Sequence, residues 1–279
     1  AAVDAGVRVR GDIDLFVAAA KAPVIAITGS NGKSTVTTLV GDMAKSAGLN
    51  VGVGGNLGTP ALELLQANRQ LYVLELSSFQ LETVEMLNAE CVVILNISED
   101  HMDRYVDKMA YLRAKQRIFR GAKNVAVNDD EMLSQPLVTT AMKLIHFGTQ
   151  QEDINKFSIM EKNGDRYLTK GFDTLLPVKE LRVKGEHNLS NVLAALALAS
   201  SVRISTNAML EAVKAFEGLP HRCQYLRTVN GIDYINDSKG TNPGAVVTAV
   251  NSLGKDCTGK VILIAGGDSK GADFSTLVE

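Results

Sequence analysis

Residues 23–35 read PVIAITGSNGKST: five apolar or β-branched residues run straight into a turn that carries Gly29, Ser30, Asn31, Gly32, Lys33, Ser34 and Thr35. This pattern predicts a strand that delivers the chain to a phosphate cradle. Glycines let backbone N–H groups close on an anion, and a helix that starts at the turn points its positive end at the same place. Lys33 adds a full charge and Ser34 a hydroxyl suited to Mg²⁺. The loop is shorter than the common phosphate loop, which would need glycine at the position of Ile27. Val36, Leu39, Val40 and Met43 recur at helical spacing directly afterwards, so strand, loop and helix come in the required order. The bland alternative is an ordinary glycine-rich turn between a strand and a helix.

Short β-rich runs at 24–28, 71–76, 91–97 and 124–128 alternate with amphipathic stretches, which predicts an α/β fold with a mostly parallel sheet covered by helices. Residues 157–170 alternate about Asn163-Gly164-Asp165 and read as a small antiparallel hairpin. Helices are expected at 186–201 and 205–216, and the EGLPHR stretch at 217–222 marks a boundary. Beyond it come a hairpin about Asn230-Gly231, a helix near 243–253 and a strand at 261–265, the start of a second α/β unit. About 57 residues follow that boundary, too few for a self-sufficient α/β domain, so the second unit is expected to be cut short. The chain also opens without methionine, and an upstream part is expected to be missing. The expected division is a residual linker at 1–10, a central ATP-binding domain at 11–219 and a truncated C-terminal unit at 220–279.

Composition enters as a filter. A net charge of −2 with dispersed Lys and Arg gives no electrostatic case for nucleic acid or a membrane surface. No apolar run reaches the roughly 20 residues of a membrane helix, and the opening has no signal-peptide core. Cys91, Cys223 and Cys257 form no metal-type pair and read as thiols of a reducing compartment, which makes a cytoplasmic location the expectation.

Polar residues at the strand ends mark the ligand edge of such a sheet. Glu75 lies just inside one strand end, with Ser77 and Ser78 after it, and Glu99, Asp100, His101 and Asp103 follow another. An acid one strand from a phosphate loop suits Mg²⁺, which binds few protein oxygens and shares the phosphate oxygens. Glu75 is therefore the first metal candidate. His101 is either a second ligand or an ordinary hydrogen-bonding loop histidine. On a helix at 109–120, Tyr111, Leu112, Lys115, Ile118 and Phe119 fall on one arc, so Lys115 sits on an apolar face. Such a lysine either snorkels to solvent or is paired, neutralised or chemically modified.

TGSNGKST, GGNLG, ELSSFQLE, EDHMDRY, EHNLSN, GLPHR, NDSKGTN and GGDSKGADF, in this order, resemble the Mur ligases of peptidoglycan synthesis, and ELSSFQLE and NDSKGTN resemble the branch that adds D-glutamate. The resemblance runs from about Gly11 to the last residue. It implies an N-terminal uridine-nucleotide domain, a central ATPase domain and a C-terminal domain that brings the amino acid, of which this chain holds the second and part of the third. It also implies ATP-dependent joining of D-glutamate to UDP-N-acetylmuramoyl-L-alanine through an acyl phosphate. By the same resemblance Lys33 serves the phosphates, Ser34 and Glu75 hold one Mg²⁺, and His101 with a carbamylated Lys115 hold a second. Asn56, Ser77 and Ser78 would face the nucleotide-sugar, Asn188 the adenine, Arg222 and Asp237 the phosphates and ribose, and Lys239 and Thr241 the reacting carboxylate. Read without the resemblance, Asn56 is a turn residue, Asn188 and Asn191 are helix caps, and residues 237–241 are a polar turn. His187 and His221 are left as structural neighbours. The function classes kept open are an amide ligase, a Mg-ATP-binding module of that ligase without turnover, and a folylpolyglutamate-synthetase-like ligase.

Overall fold

The structure is a computed structural model that describes residues 5–7, 9–137, 142–150, 154–268 and 273–277. The chain runs through α1 (Asp12–Ala19), β1 (Val24–Thr28), α2 (Lys33–Ser46), β2 (Val51–Gly55), β3 (Leu71–Glu75), α3 (Ser78–Thr83), β4 (Cys91–Ile94), α4 (Lys108–Gln116), β5 (Asn124–Asn128), β6 (Lys143–Phe147), β7 (Phe157–Lys162), β8 (Asp165–Lys170), β9 (Asp173–Pro177), α5 (Glu186–Ser201) and α6 (Thr206–Ala215). The nine strands form one sheet in the order β2-β3-β1-β4-β5-β6-β7-β8-β9. Pairing is parallel from β2 through β7 and antiparallel from β7 through β9.

β1 lies at the middle of the parallel part and is buried along its whole length. Its side chains split between two cores. Ile25 and Ile27 pack with α2, α5 and α6, while Val24 and Ala26 pack with residues of α1, α3 and α4 on the opposite face. Burial on both faces is why this strand reads as a continuous apolar run and not as an alternation. The chain builds β2 and β3 on one side of β1 and then crosses to β4 on the other. The strand order therefore reverses at β1, and the crevice for a ligand lies at its C-terminal end.

The antiparallel hairpin is present with its turn at Asn163-Gly164, but β9 extends it and it belongs to the main sheet. β4 ends at Ile94, short of the expected Ile97: Leu95 N still bonds Thr28 O of β1, but Asn96 and Ser98 bond the phosphate loop and not, among the described residues, a neighbouring strand. The expected helix at 109–120 is α-helical only to Gln116 and tightens to a 3-10 turn over Arg117–Phe119.

After residue 219 come β10 (Gln224–Val229), β11 (Ile232–Asn236) and α7 (Pro243–Asp256). β10 and β11 form a separate two-stranded antiparallel sheet. The strand expected at 261–265 is absent. Ile262 and Ile264 are exposed, and no strand among the described residues lies beside them to receive a ladder. An isolated extended segment makes no inter-strand hydrogen bonds, whatever its β propensity.

Candidate functional site

The loop between β1 and α2 is fixed by the segment after β4. Ser30 N donates to Asn96 O at 3.0 Å, and Ser30 Oγ donates to Ser98 O at 2.9 Å while accepting from Ser98 N at 2.9 Å. Asn31 N donates to Asn96 Oδ1 at 2.8 Å, and Asn96 Nδ2 returns a bond to Asn31 O at 3.1 Å. Gly32 caps α2 with φ +83°, and a Cβ there would lie 2.3 Å from Asn191 Oδ1. Only glycine meets both demands. Lys33 Nζ folds back onto Gly29 O (3.0 Å) and Ser30 O (2.9 Å). Burial and the Arg222 charge lower its pKa, while Glu75 and Asp100 act in the opposite sense, burial being the largest of these effects. Ser34 Oγ accepts from Arg222 Nη2 at 3.0 Å, so the second unit already reaches the first turn of α2. Ser34 and Thr35 are buried.

Glu75 ends β3 at 3% exposure. Its Oε1 accepts from Asn56 Nδ2 at 2.9 Å, and its Oε2 is buried without a hydrogen-bond partner. A buried carboxylate oxygen left unpaired is costly, so this atom calls for a cation. Lys115, on α4, is 1% exposed. Its amine donates to Gly29 O at 2.9 Å and to Thr28 Oγ1 at 3.3 Å, and lies 4.6 Å from the centre of the Tyr111 ring. Those partners are neutral. Burial, reinforced by Lys33, holds the Lys115 pKa well below that of an ordinary lysine despite Asp100 and Glu75. The apolar-face reading of Lys115 therefore stands, and snorkelling does not occur.

His101 sits in the left-handed region at φ +58°, with Nε2 3.7 Å from Asp100 Oδ2 and its ring 4.8 Å from that of Phe79. Among the described residues no group of three or more His, Cys, Asp or Glu could by itself hold a metal ion. The donors at hand are thus a few oxygens around a phosphate loop, which fits a hard cation whose shell is completed by phosphate and water.

A cavity of about 950 Å³ opens between this edge of the sheet and the second unit. Asn31, Gly32, Thr35, Asn188, Asn191, Arg222, Asp237 and Lys239 all line it. Neither asparagine of α5 caps it: Gly185 does, while Asn188 Nδ2 donates to Lys184 O at 2.8 Å and Asn191 packs on Gly32. Asp237 Oδ1 accepts from Cys223 N at 2.9 Å. Lys239 N donates to His221 O at 3.0 Å. Thr241 is exposed and does not line the cavity. Asn56, Ser77 and Ser78 stand at the β3 side instead. Ser77 caps α3 by accepting from Gln80 N at 3.2 Å, and Ser78 is buried.

Sequence reasoning missed Asn96 and Ser98, which shape the loop, and Asn242, whose Oδ1 caps α7 and whose Nδ2 donates to Asn31 Oδ1 at 3.1 Å. It also gave Tyr111 no role beyond core, although its hydroxyl lies 3.3 Å from Ser30 Oγ. The signal for Asn96 and Ser98 was their place at a strand end. His187, taken as a structural neighbour, lines the cavity with a buried, unpartnered Nδ1.

Residues 27–199 match the Mur ligase middle domain. The chain belongs to the Mur ligase family. This Mur ligase chain is 57% identical over 274 residues to UDP-N-acetylmuramoylalanine--D-glutamate ligase of Marinobacter nauticus, an alignment that covers 98% of the chain and 61% of that relative. The chain thus spans 61% of the relative's length. The Mur ligase fold is seen again in MurF from Acinetobacter baumannii, with TM-score 0.68 and 21% identity over 87% of this chain and 56% of that one. E. coli FolC in complex with DHPP and ADP gives TM-score 0.68 at 20% identity, over 90% of this chain and 71% of its own. At such identities these two likenesses concern the fold alone.

Proposed function

We propose that this chain carries the ATP-handling core of a cytoplasmic ligase that joins D-glutamate to UDP-N-acetylmuramoyl-L-alanine in peptidoglycan precursor synthesis. The observation that carries the reading is the pairing, at the end of β1, of a phosphate loop with an unpartnered buried Glu75 oxygen and a buried Lys115 amine. The identity to the Marinobacter enzyme supports the substrate pair over a folate-type substrate. The central domain is read as 11–219 and the second unit as 220–279.

Ser34 and Glu75 would hold one Mg²⁺, and His101 with Lys115 a second. Lys115 would do so as a carbamate: burial lowers its pKa and so favours the neutral form, whose lone pair reacts with CO₂, and the product keeps one N–H for Gly29 O. Bound Mg²⁺ supplies charge neutralisation and polarisation of phosphate oxygens. The residues do the rest. Backbone N–H groups at the start of α2 cradle the phosphates of ATP, and Lys33 exchanges its two loop carbonyls for phosphate oxygens. Arg222 leaves Ser34 for the phosphates, Asn188 and Asp237 take the adenine and ribose, and Lys239 with Thr241 faces the carboxylate. Asn56, Ser77 and Ser78 face the nucleotide-sugar.

An oxygen of the alanyl carboxylate attacks the γ-phosphorus, the bond to the bridging oxygen breaks, and ADP leaves with that electron pair. The D-glutamate amine then attacks the acyl-phosphate carbon, phosphate departs, and the amine loses a proton to give the amide. Two anions must meet in the first step, which is why the site concentrates positive charge and fixed dipoles. ADP release is the test. Release that needs both UDP-N-acetylmuramoyl-L-alanine and D-glutamate supports the ligase reading, whereas Mg-ATP binding without release identifies a nucleotide-binding module. Absence of binding overturns both.

A further inference from the structure

His101 is held in a backbone conformation that costs a non-glycine residue energy, so something outside it must enforce the shape. Its carbonyl accepts from both Arg104 N and Tyr105 N at 3.0 Å, which closes a tight turn over 101–105. That turn is tied to α3 by one carboxylate. Glu82 Oε2 accepts from Arg104 Nη2 at 2.6 Å, and Glu82 Oε1 accepts from Tyr105 Oη at 2.5 Å. The Arg104 guanidinium then lies 4.8 Å from the centre of the Phe79 ring, Tyr105 stacks on that ring at 6.2 Å, and Phe79 meets the His101 imidazole at 4.8 Å. Phe79 and Glu82, three residues apart on α3, thus grip the turn from one helix face.

We propose that Glu82 is a positioning residue that holds the 101–105 turn, and through it the His101 imidazole, in place for metal-nucleotide binding. The inference rests on the reading of His101 as a metal-facing group. Among the described residues Glu82 bonds neither that ring nor the phosphate loop, so it acts through Arg104 and Tyr105, which in turn pack on Phe79. The pair it forms with Arg104 is half exposed, and an exposed ion pair contributes little to global stability. Its removal should therefore leave the fold intact and misplace His101.

The test is Mn²⁺ binding, followed by electron paramagnetic resonance, to the full chain holding the β,γ-imido analogue of ATP. Glu82→Ala is expected to weaken the His101-dependent Mn²⁺ by roughly 10-fold, the lower end for loss of a group that orients a ligand. Nucleotide affinity and melting temperature should stay near those of the parent chain, and Glu82→Gln, which keeps one acceptor, should recover most of the loss. Tyr105→Phe, which deletes a single hydroxyl, gives a milder variant should Glu82→Ala fail to fold; it must weaken Mn²⁺ in the same direction. His101→Ala is the reference. If it weakens Mn²⁺ while Glu82→Ala and Tyr105→Phe do not, positioning by Glu82 is overturned and the His101 reading survives. If His101→Ala has no effect, both fall.

Discussion

The two walls of the cavity are built differently. On the sheet side, the phosphate loop is bonded by Asn96 and Ser98, backed by Lys115, and flanked by a Glu75 whose position is set by β3. On the other side, Arg222, just before β10, bonds Ser34 in the first turn of α2, and Asn242, the cap of α7, bonds Asn31 in the loop. Charged groups buried in a fixed frame have no alternative solvation, so their chemistry is set before a ligand arrives. The second wall can exchange its few bonds when one does. Changes on the sheet wall should therefore abolish function, and loss of a tether such as Asn242 on the other should only tune it.

The largest effect is expected from Lys115→Ala. Ligation should fall by at least ~10²-fold, because the carbamate that would hold the second Mg²⁺ is lost and with it that cation's stabilisation of the developing anion, and bicarbonate should not restore it. Turnover at the parent rate would remove Lys115 from the mechanism. Next is Glu75→Ala, which should raise the Mg²⁺ concentration needed for half-maximal nucleotide binding by ~10–100-fold with the fold retained by circular dichroism. An unchanged Mg²⁺ titration would count against ligation by Glu75.

The asymmetry between the walls also marks what could be read in the sequence. β1 was legible because burial on both faces leaves an uninterrupted apolar run, and α5 because its VLAALALA stretch is core throughout. β2 was not: VGVGG carries three glycines with little β preference, and its pairing with β3 supplies the order that propensity lacks. KLIHF of β6 is short and partly exposed, so tertiary pairing with β5 decides it. Lys33, Glu75 and Lys115 were legible as candidates from charge against an apolar background. The contributions of Asn96, Ser98 and Asn242 to the loop were not, since each reaches it by a hydrogen bond to a residue 65 or more positions away.

Smaller effects belong to the second wall. Asn242→Ala removes both a helix cap and the bond to Asn31, and should cost about 1 kcal/mol in chemical denaturation, with nucleotide affinity reduced only a few-fold. A loss as large as that of Glu75→Ala would mean the two walls are not distinct. The smallest is a pH effect. Burial holds the His187 pKa below the ordinary histidine value, partly opposed by Asp237. The unfolded chain then takes up a proton before the folded chain does. The stability contributed by neutral His187 is present above about pH 6.5 and is lost as pH falls from there through the folded pKa. His187→Gln should flatten that part of the stability-pH curve; an identical slope in the variant would place the proton elsewhere.

Calorimetric titration of the β,γ-imido analogue of ATP into the chain, with Mg²⁺ and with chelator, bears most directly on the claim that the sheet wall is a preformed metal-nucleotide site. The account predicts binding that weakens by at least ~10-fold when Mg²⁺ is removed and that, in Glu75→Ala at ordinary Mg²⁺, falls to the level of the parent chain with chelator. Equal affinity with and without Mg²⁺ would contradict it.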